Sequence, residues 1–589
     1  MSTSRILDST LAFVSLLPLA AAQSTEIVSL DSAGTPGNQP SSAPSMSADG
    51  RFVAFVTNSS LVPGDGNGAT DVYLRDRVAR TTERISVDLS GGDPNGISYR
   101  PSISADGRYV VFTSRATDLT PIPVSGINQI YVRDRVAQTT TLVSVDSNGV
   151  PGNQLATYGA ISRDGRTVVF VSWASNLTPN DTNAHEDAFA RDLQAGTTTC
   201  VSVDAAGIPR GAVADGQIGE AQPPSISADG RFVAFVSFGA IVPQFSGFWD
   251  VYVRDMVLGQ TTLVSRSMSG TAANGDSRGP AITPDGRFVA FVSQATNLTP
   301  VQGVSADVFV RDLTTGSTQL VNVAPGGGSV TGASFAPAIT PDGAFIAFAS
   351  VSPDLVPGDT NGELDVFLRD VVNGTTTRVN VDSAGLPQAT GTAFDSLPPA
   401  LSDDARQIAF TTSAAELAPF DGNGVFDVYV HDRSMTLVAF CGTDGIASHV
   451  CPCSNGAPGR GCANSVFAAG AELVGSGDTS VSNDTLRLDA TGLTGNGCVF
   501  YAGDASSAPS PLDDGLGCVT GTIVRIATKP VGGNASTYPE PGDPSISLRL
   551  GVPAAGGRRF AQGFYRNAAP FCGAATSNRT NAIAITFVP

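Results

Sequence analysis

One pattern returns seven times and limits what the chain can fold into: SADGRFVAF (47–55), SADGRYVVF (104–112), SRDGRTVVF (162–170), SADGRFVAF (227–235), TPDGRFVAF (283–291), TPDGAFIAF (340–348) and SDDARQIAF (402–410). Its aspartates, Asp49, Asp106, Asp164, Asp229, Asp285, Asp342 and Asp404, recur every 56 to 65 residues. Asp-Gly between two β-rich runs marks a tight hairpin turn, because glycine tolerates positive φ. The seventh copy has Asp404-Ala405, which predicts a turn of another type. Each copy is followed by a second motif: DVYLRD (71–76), QIYVRD (129–134), DAFARD (187–192), DVYVRD (250–255), DVFVRD (307–312), DVFLRD (365–370) or DVYVHD (427–432). A Thr-rich strand such as TTLVSR (261–266) comes next. Each unit thus supplies four antiparallel strands, and seven such units predict a seven-bladed β-propeller over 23–440. A solenoid is the weaker alternative, since no capping repeat is visible.

The pair S-x-D-G-R-x-[VI]-[AV]-F and [DQ]-[VI]-[YF]-V-R-D resembles the WD40-like (PD40) repeat of TolB-type propeller proteins. The resemblance spans about 25–440 and implies the propeller fold; it implies no activity, because that fold hosts binding platforms, peptidase gates and lyases. The helical N-terminal domain of TolB has no counterpart. Two segments compete to close the ring on the last blade: TEIVSLD (25–31) and MTLVAF (435–440).

In such a meander the Asp-Gly turns share one face, and the long loops crowd the other, where sites are usually built. Four of these loops carry D-x-N-x-x-x-D: Asp65/Asn67/Asp71, Asp181/Asn183/Asp187, Asp359/Asn361/Asp365 and Asp421/Asn423/Asp427. Carboxylates and carbonyls on a tight loop suit calcium, so these twelve residues are its candidate ligands. Asp and Asn are equally the residues of Asx-turns. The loop PQFSGFWD (243–250) carries Phe245, Phe248 and Trp249, candidates for a protein or glycan contact or for packing on a neighbouring blade. The Arg-Asp of YVRD occurs in six blades, with His431-Asp432 in the seventh, and such repetition indicates a structural hydrogen bond. Trp173 and Cys200 read as packing residues.

The net charge of −19 argues against a nucleic-acid partner. The single lysine, Lys529, makes Schiff-base chemistry improbable, and His185, His431 and His449 lack ligand spacing. Residues 1–22 read as a signal peptide, with an apolar core and an Ala20-Ala21-Ala22 cleavage site. No later run is long enough to cross a membrane, so a secreted, periplasmic or cell-surface location is expected. From 441 to 589 the repeat stops. Cys441, Cys451, Cys453, Cys462, Cys498, Cys518 and Cys572 lie there and read as disulfide cysteines of a small β-sandwich or jelly roll, ahead of a zinc site. CPCSNGAPGRGCANS, DGLGC, FYRNAAPFC and TNAIAITF resemble a C-terminal module of secreted bacterial repeat proteins. Six strands are expected there, SISLRLGV (545–552) among them.

The functional expectation is a secreted, non-enzymatic binding or scaffold propeller with no certain cofactor. No G-x-S-x-G elbow, histidine cluster or sialidase-type box is present. The alternative is a secreted enzyme, a lyase or glycosidase acting on polysaccharide with carboxylate or calcium-assisted chemistry.

Overall fold

The computed structural model describes residues 24–433 apart from 184, 211–222, 245, 302, 304, 383–385, 389–397 and 419–420. Beyond 433 it describes 472–476, 486–491, 493, 497–503, 505–512, 515–520, 523–532, 534–540, 543–552, 557–566 and 577–587. The signal peptide, MTLVAF and Phe245 lie outside the described residues, as do His449 and the side chains of every C-terminal cysteine except Cys498.

Seven four-stranded antiparallel sheets make up the unit Ser24–Arg433. Blade 1 comprises Ser41–Met46, Phe52–Thr57, Asp71–Asp76 and Thr81–Arg84. Blades 2 to 6 repeat this order over 98–142, 156–200, 225–263, 277–320 and 334–378. Blade 7 takes three strands from 400–432, and Ser24–Ile27 supplies its fourth by pairing with Asp427–Asp432. The N-terminal strand therefore closes the ring and covers an edge that would otherwise stand open. Among the described residues no helix is long and apolar enough to cross a membrane.

The second and third strands of each blade are apolar on both faces, because every blade is packed between two others. Phe55 and Tyr73 stack in blade 1, and the equivalent pair stacks in each of the other six at 5.8–5.9 Å between ring centroids. The first strands lie innermost. The Asp-Gly turns link neighbouring blades: the Ala48 amide donates to Ala105 O (3.0 Å), the Ala228 amide to Pro284 O (2.9 Å) and the Asp403 amide to Ala48 O (2.9 Å). In each turn the aspartate caps its own loop; Asp49 accepts from Ser47 Oγ (2.6 Å) and the Arg51 amide (3.0 Å).

Blade 7 corrects the expectation of a different turn. Ala405 adopts φ 53°, the left-handed conformation of the glycines in the other six turns, and its amide donates to Ser402 O at 3.0 Å. The surrounding hydrogen bonds impose the conformation although the residue is not glycine. The YVRD arginines are structural: Arg75, Arg133, Arg191, Arg254, Arg311 and Arg369 each donate to a threonine of the next strand. In blade 7, buried His431 instead meets Thr25 Oγ1 at 2.9 Å, and burial lowers its pKa to about 4, so it is neutral.

The second unit carries sheets of three, four and two strands. Leu473, Leu488, Phe500, Ile526 and Tyr538 belong to one buried apolar cluster there. Cys498, expected in a disulfide, is a free buried thiol in that cluster. SISLRLGV is a further correction: Ile546–Arg549 forms a short helix. Ile546 and Ser547 are buried in it, as is the C-cap residue Leu550, four residues after Ile546, while Leu548 is 72% exposed.

Candidate active site at the channel mouth

The innermost strands carry a second repeat that the Asp-Gly signature overshadows. It reads x-P-[SA]-[IM], as in SSAPSM (41–46), SYRPSI (98–103), SRGPAI (277–282) and SFAPAI (334–339). In blades 1, 2, 3, 5 and 6 the register against the second strand slips at this point. The residue before the proline position takes positive φ there: Ala43, Arg100, Tyr158, Gly279 and Ala336. Such a bulge re-aims a side chain, and Ala43, Arg100 and Tyr158 line the central channel with Pro280 and Pro337 of blades 5 and 6. The channel encloses a cavity of about 370 Å³ bounded by all seven inner strands.

Five blades place a small residue or proline at this position: Ala43, Pro223, Gly279, Ala336 and Pro398. Blades 2 and 3 place Arg100 and Tyr158. The Arg100 guanidinium lies 4.0 Å from the centre of the Tyr158 ring, close enough for a cation–π contact. Glu186, half-buried just before the third strand of blade 3, acts on the same phenol. Burial raises the Tyr158 pKa, Arg100 opposes that rise and Glu186 adds to it. Burial first, and Asp187 second, push the Glu186 carboxyl up to about 7. Tyr99 adjoins Arg100, and its phenol is raised by burial. Arg115 Nε donates to Asn128 Oδ1 at 2.9 Å on the same rim.

Trp249 holds in blade 4 the register that Glu186 holds in blade 3. It meets Phe238 edge-on at 5.9 Å and lies under the Arg278 guanidinium at 5.5 Å. Its amide donates to Asp276 Oδ1 (3.1 Å), and Arg278 pairs with the same carboxylate (3.2 Å). Phe248 is 41% exposed. Trp249 thus belongs to the rim and is held by its neighbours. Sequence reading passed over Arg100, Tyr158 and Glu186; the signal was a bulky residue breaking a column of small ones. Trp173 is half-buried, its amide on Leu155 O (3.1 Å), and Cys200 is a buried free thiol.

The acidic loops lie further out. The last aspartate of each is fully buried and accepts from the fourth strand or its continuation: Ser86 to Asp71 (2.6 Å), Ser202 to Asp187 (2.5 Å), Asn380 to Asp365 (2.5 Å) and Ser29 to Asp427 (2.6 Å). Asn67, Asn183, Asn361 and Asn423 each donate to the same aspartate. In blade 1 the Arg84 guanidinium lies 3.4 Å from Asp65 and 3.9 Å from Asp71 and also pairs with Asp93. In blade 6 Arg378 lies 2.6 Å from Asp359 and 3.5 Å from Asp365. The place reserved for calcium on these two loops is filled by an arginine. Among the described residues no three His, Cys, Asp or Glu side chains converge as a metal site.

No family model matches the chain. No curated protein matches it either. Solved structures with a similar fold include an oligogalacturonate lyase from Vibrio parahaemolyticus (12% identity, TM-score 0.40, 71% of this chain and 92% of that one). The propeller domain of the Trilobed protease from Pyrococcus furiosus is comparable (12%, TM-score 0.41, 67% and 93%). TolB from Acinetobacter baumannii follows at 14% identity and TM-score 0.31, covering 67% and 79%. Likeness at this level concerns the fold alone. The expectation of a non-enzymatic scaffold finds no support among them: the similar structures include this lyase and prolyl and dipeptidyl peptidases.

Proposed function

We propose that the protein is an exported lyase that cleaves an acidic polysaccharide at the channel mouth. The observation that carries this reading is the Arg100–Tyr158 pair, a cation on a phenol that occurs once among the described blades, with the Glu186 carboxylate near enough for its charge to act on that phenol. A residue needed by the fold recurs in every blade; a residue needed by chemistry has to occur only once.

Arg100 would hold the carboxylate of a uronate unit and stabilise the charge that develops when the neighbouring carbon loses its proton. Glu186 would take that proton as general base. The C–H electron pair becomes a C=C bond as the glycosidic C–O bond breaks, and the Tyr158 hydroxyl protonates the leaving oxygen. A glycosidase needs two facing carboxylates. The other carboxylate described on this rim, Asp276, is engaged by Arg278 and the Trp249 amide, which favours elimination over hydrolysis. Phe248 and Trp249 would form a shoulder for a sugar ring. Residues 1–22 would direct export, where cysteines at 441, 451, 453, 462, 518 and 572 meet oxidising conditions.

The test is incubation of the purified protein with polygalacturonate, alginate and a neutral glucan, following the ultraviolet absorbance of unsaturated uronate ends. Absorbance should rise with a uronate polymer only, and fall at least a hundredfold in rate with Glu186→Gln, in keeping with the ~10²–10⁴-fold contribution of a general base. Reducing ends without absorbance would mean hydrolysis, and no product from any uronate polymer would sink the reading.

A further inference from the structure

The four acidic loops differ in what meets their first aspartate. In blade 1, Asp65 meets the Tyr73 hydroxyl and Arg84. In blade 6, Asp359 meets Arg378. In blade 7, Asp421 meets the Tyr429 hydroxyl. In blade 3 the tyrosine position is Phe189 and the arginine position is Cys200, as the strand pairings place them. Neither side chain offers a cation or a strong donor. Asp181 is only 5% exposed, and both its carboxylate oxygens are buried with no hydrogen-bond partner. Thr178 Oγ1, whose own backbone oxygen accepts from the Asp181 amide (3.4 Å), is likewise buried and without a partner.

An unpaired buried carboxylate is costly unless it is neutralised. Beside it stands Asp187, whose two oxygens already accept from Ser202 and Asn183. It contributes negative charge to the place without a free coordination site. We propose that a metal cation bound by Asp181 and Thr178 occupies, in blade 3, the place that a guanidinium fills in blades 1 and 6. The free donors, Asp181 and Thr178 Oγ1, are hard oxygens. This chemistry selects calcium over a soft metal, with loop carbonyls and water completing the shell. Of the four loops first considered for calcium, this one alone has a first aspartate that, among the described residues, meets neither an arginine nor a side-chain hydroxyl.

The test uses the full chain, melted in chelator and then in millimolar calcium, magnesium or sodium, with native mass spectrometry alongside. Calcium should raise Tm by about 2 °C or more, since a ligand of the folded state stabilises by mass action, and one calcium per chain should be retained. Asp181→Asn should lose both responses. Cys200→Arg, which installs the residue of blades 1 and 6, should melt higher than wild type in chelator and ignore calcium. If Cys200→Arg fails to fold, Asp181→Asn decides. No calcium response, or the same response in Asp181→Asn as in wild type, overturns the proposal.

Discussion

At the scale of single residues, a side chain is informative where it departs from its six counterparts. Ala405 sits at φ 53° where the other turns have glycine, a conformation that costs an L-residue about 1 kcal/mol or more. Ala405→Gly is therefore expected to stabilise the propeller by about 1 kcal/mol, read from the midpoint of urea unfolding. The reverse change is punished twice at Gly107, where φ is 71° and a Cβ would lie 2.3 Å from Phe52 Cδ2 of blade 1. Gly107→Ala should cost about 2 kcal/mol, combining backbone strain and overpacking; an unchanged midpoint would show that the blade contact yields freely. Arg100 and Tyr158 were legible by the same logic, but only against the inner-strand column. That column is short, proline-broken and lacks the alternation by which strands are recognised. Glu186 was harder still, because nothing in the sequence shows that the charge of this loop end reaches the Tyr158 phenol.

Elements were legible where one environment is imposed on them in every blade. The second and third strands are buried on both sides, so their apolar runs cannot vary and the sevenfold count could be read directly. The acidic loops show the limit of such reading. Their Asp and Asn spacing was visible, but the cation that answers it came from the fourth strand, thirteen residues beyond Asp365 in the case of Arg378. Arg378→Met would leave Asp359 and Asp365 without their cation. It should cost about 3 kcal/mol, as for other broken buried pairs, and the loss should be largely restored in the triple variant that also carries Asp359→Asn and Asp365→Asn. Denaturant melts of the two variants check this, and a single variant as stable as wild type would mean that water reaches the loop. SISLRLGV was expected as a strand, but Ile546–Arg549 forms a short helix.

For the molecule as a whole, the titrating aspartates fall into two sets with separate pH windows. Burial raises Asp71 and Asp427 from 3.8 to about 6, and lifts Asp250, Asp307 and Asp365. The folded chain keeps these protons to higher pH than the unfolded chain, so their stabilisation is complete below 3.8 and is lost as pH rises through about 6. Arg108 and Arg287 hold Asp134 and Asp312 down at about 2; their stabilisation is present above 3.8 and is lost only as pH falls toward 2. Calorimetry in chelator should therefore find Tm highest near pH 4 and falling toward pH 7, and a flat or rising curve over that range would refute the assignment. The ring also imposes an order on the life of the chain. Thr25 waits for His431, 406 residues later, so the earliest strand of the ring is the last to find its partner. Six finished blades still form an open arc with a bare edge, and closure is a single late contact of high loop entropy. A chaperone that shields nascent edges should matter most to this protein in the interval before blade 7 emerges. A permutant that begins at Ser41 and carries residues 24–40 after Arg433 would make closure local, and should refold faster with the same final ring.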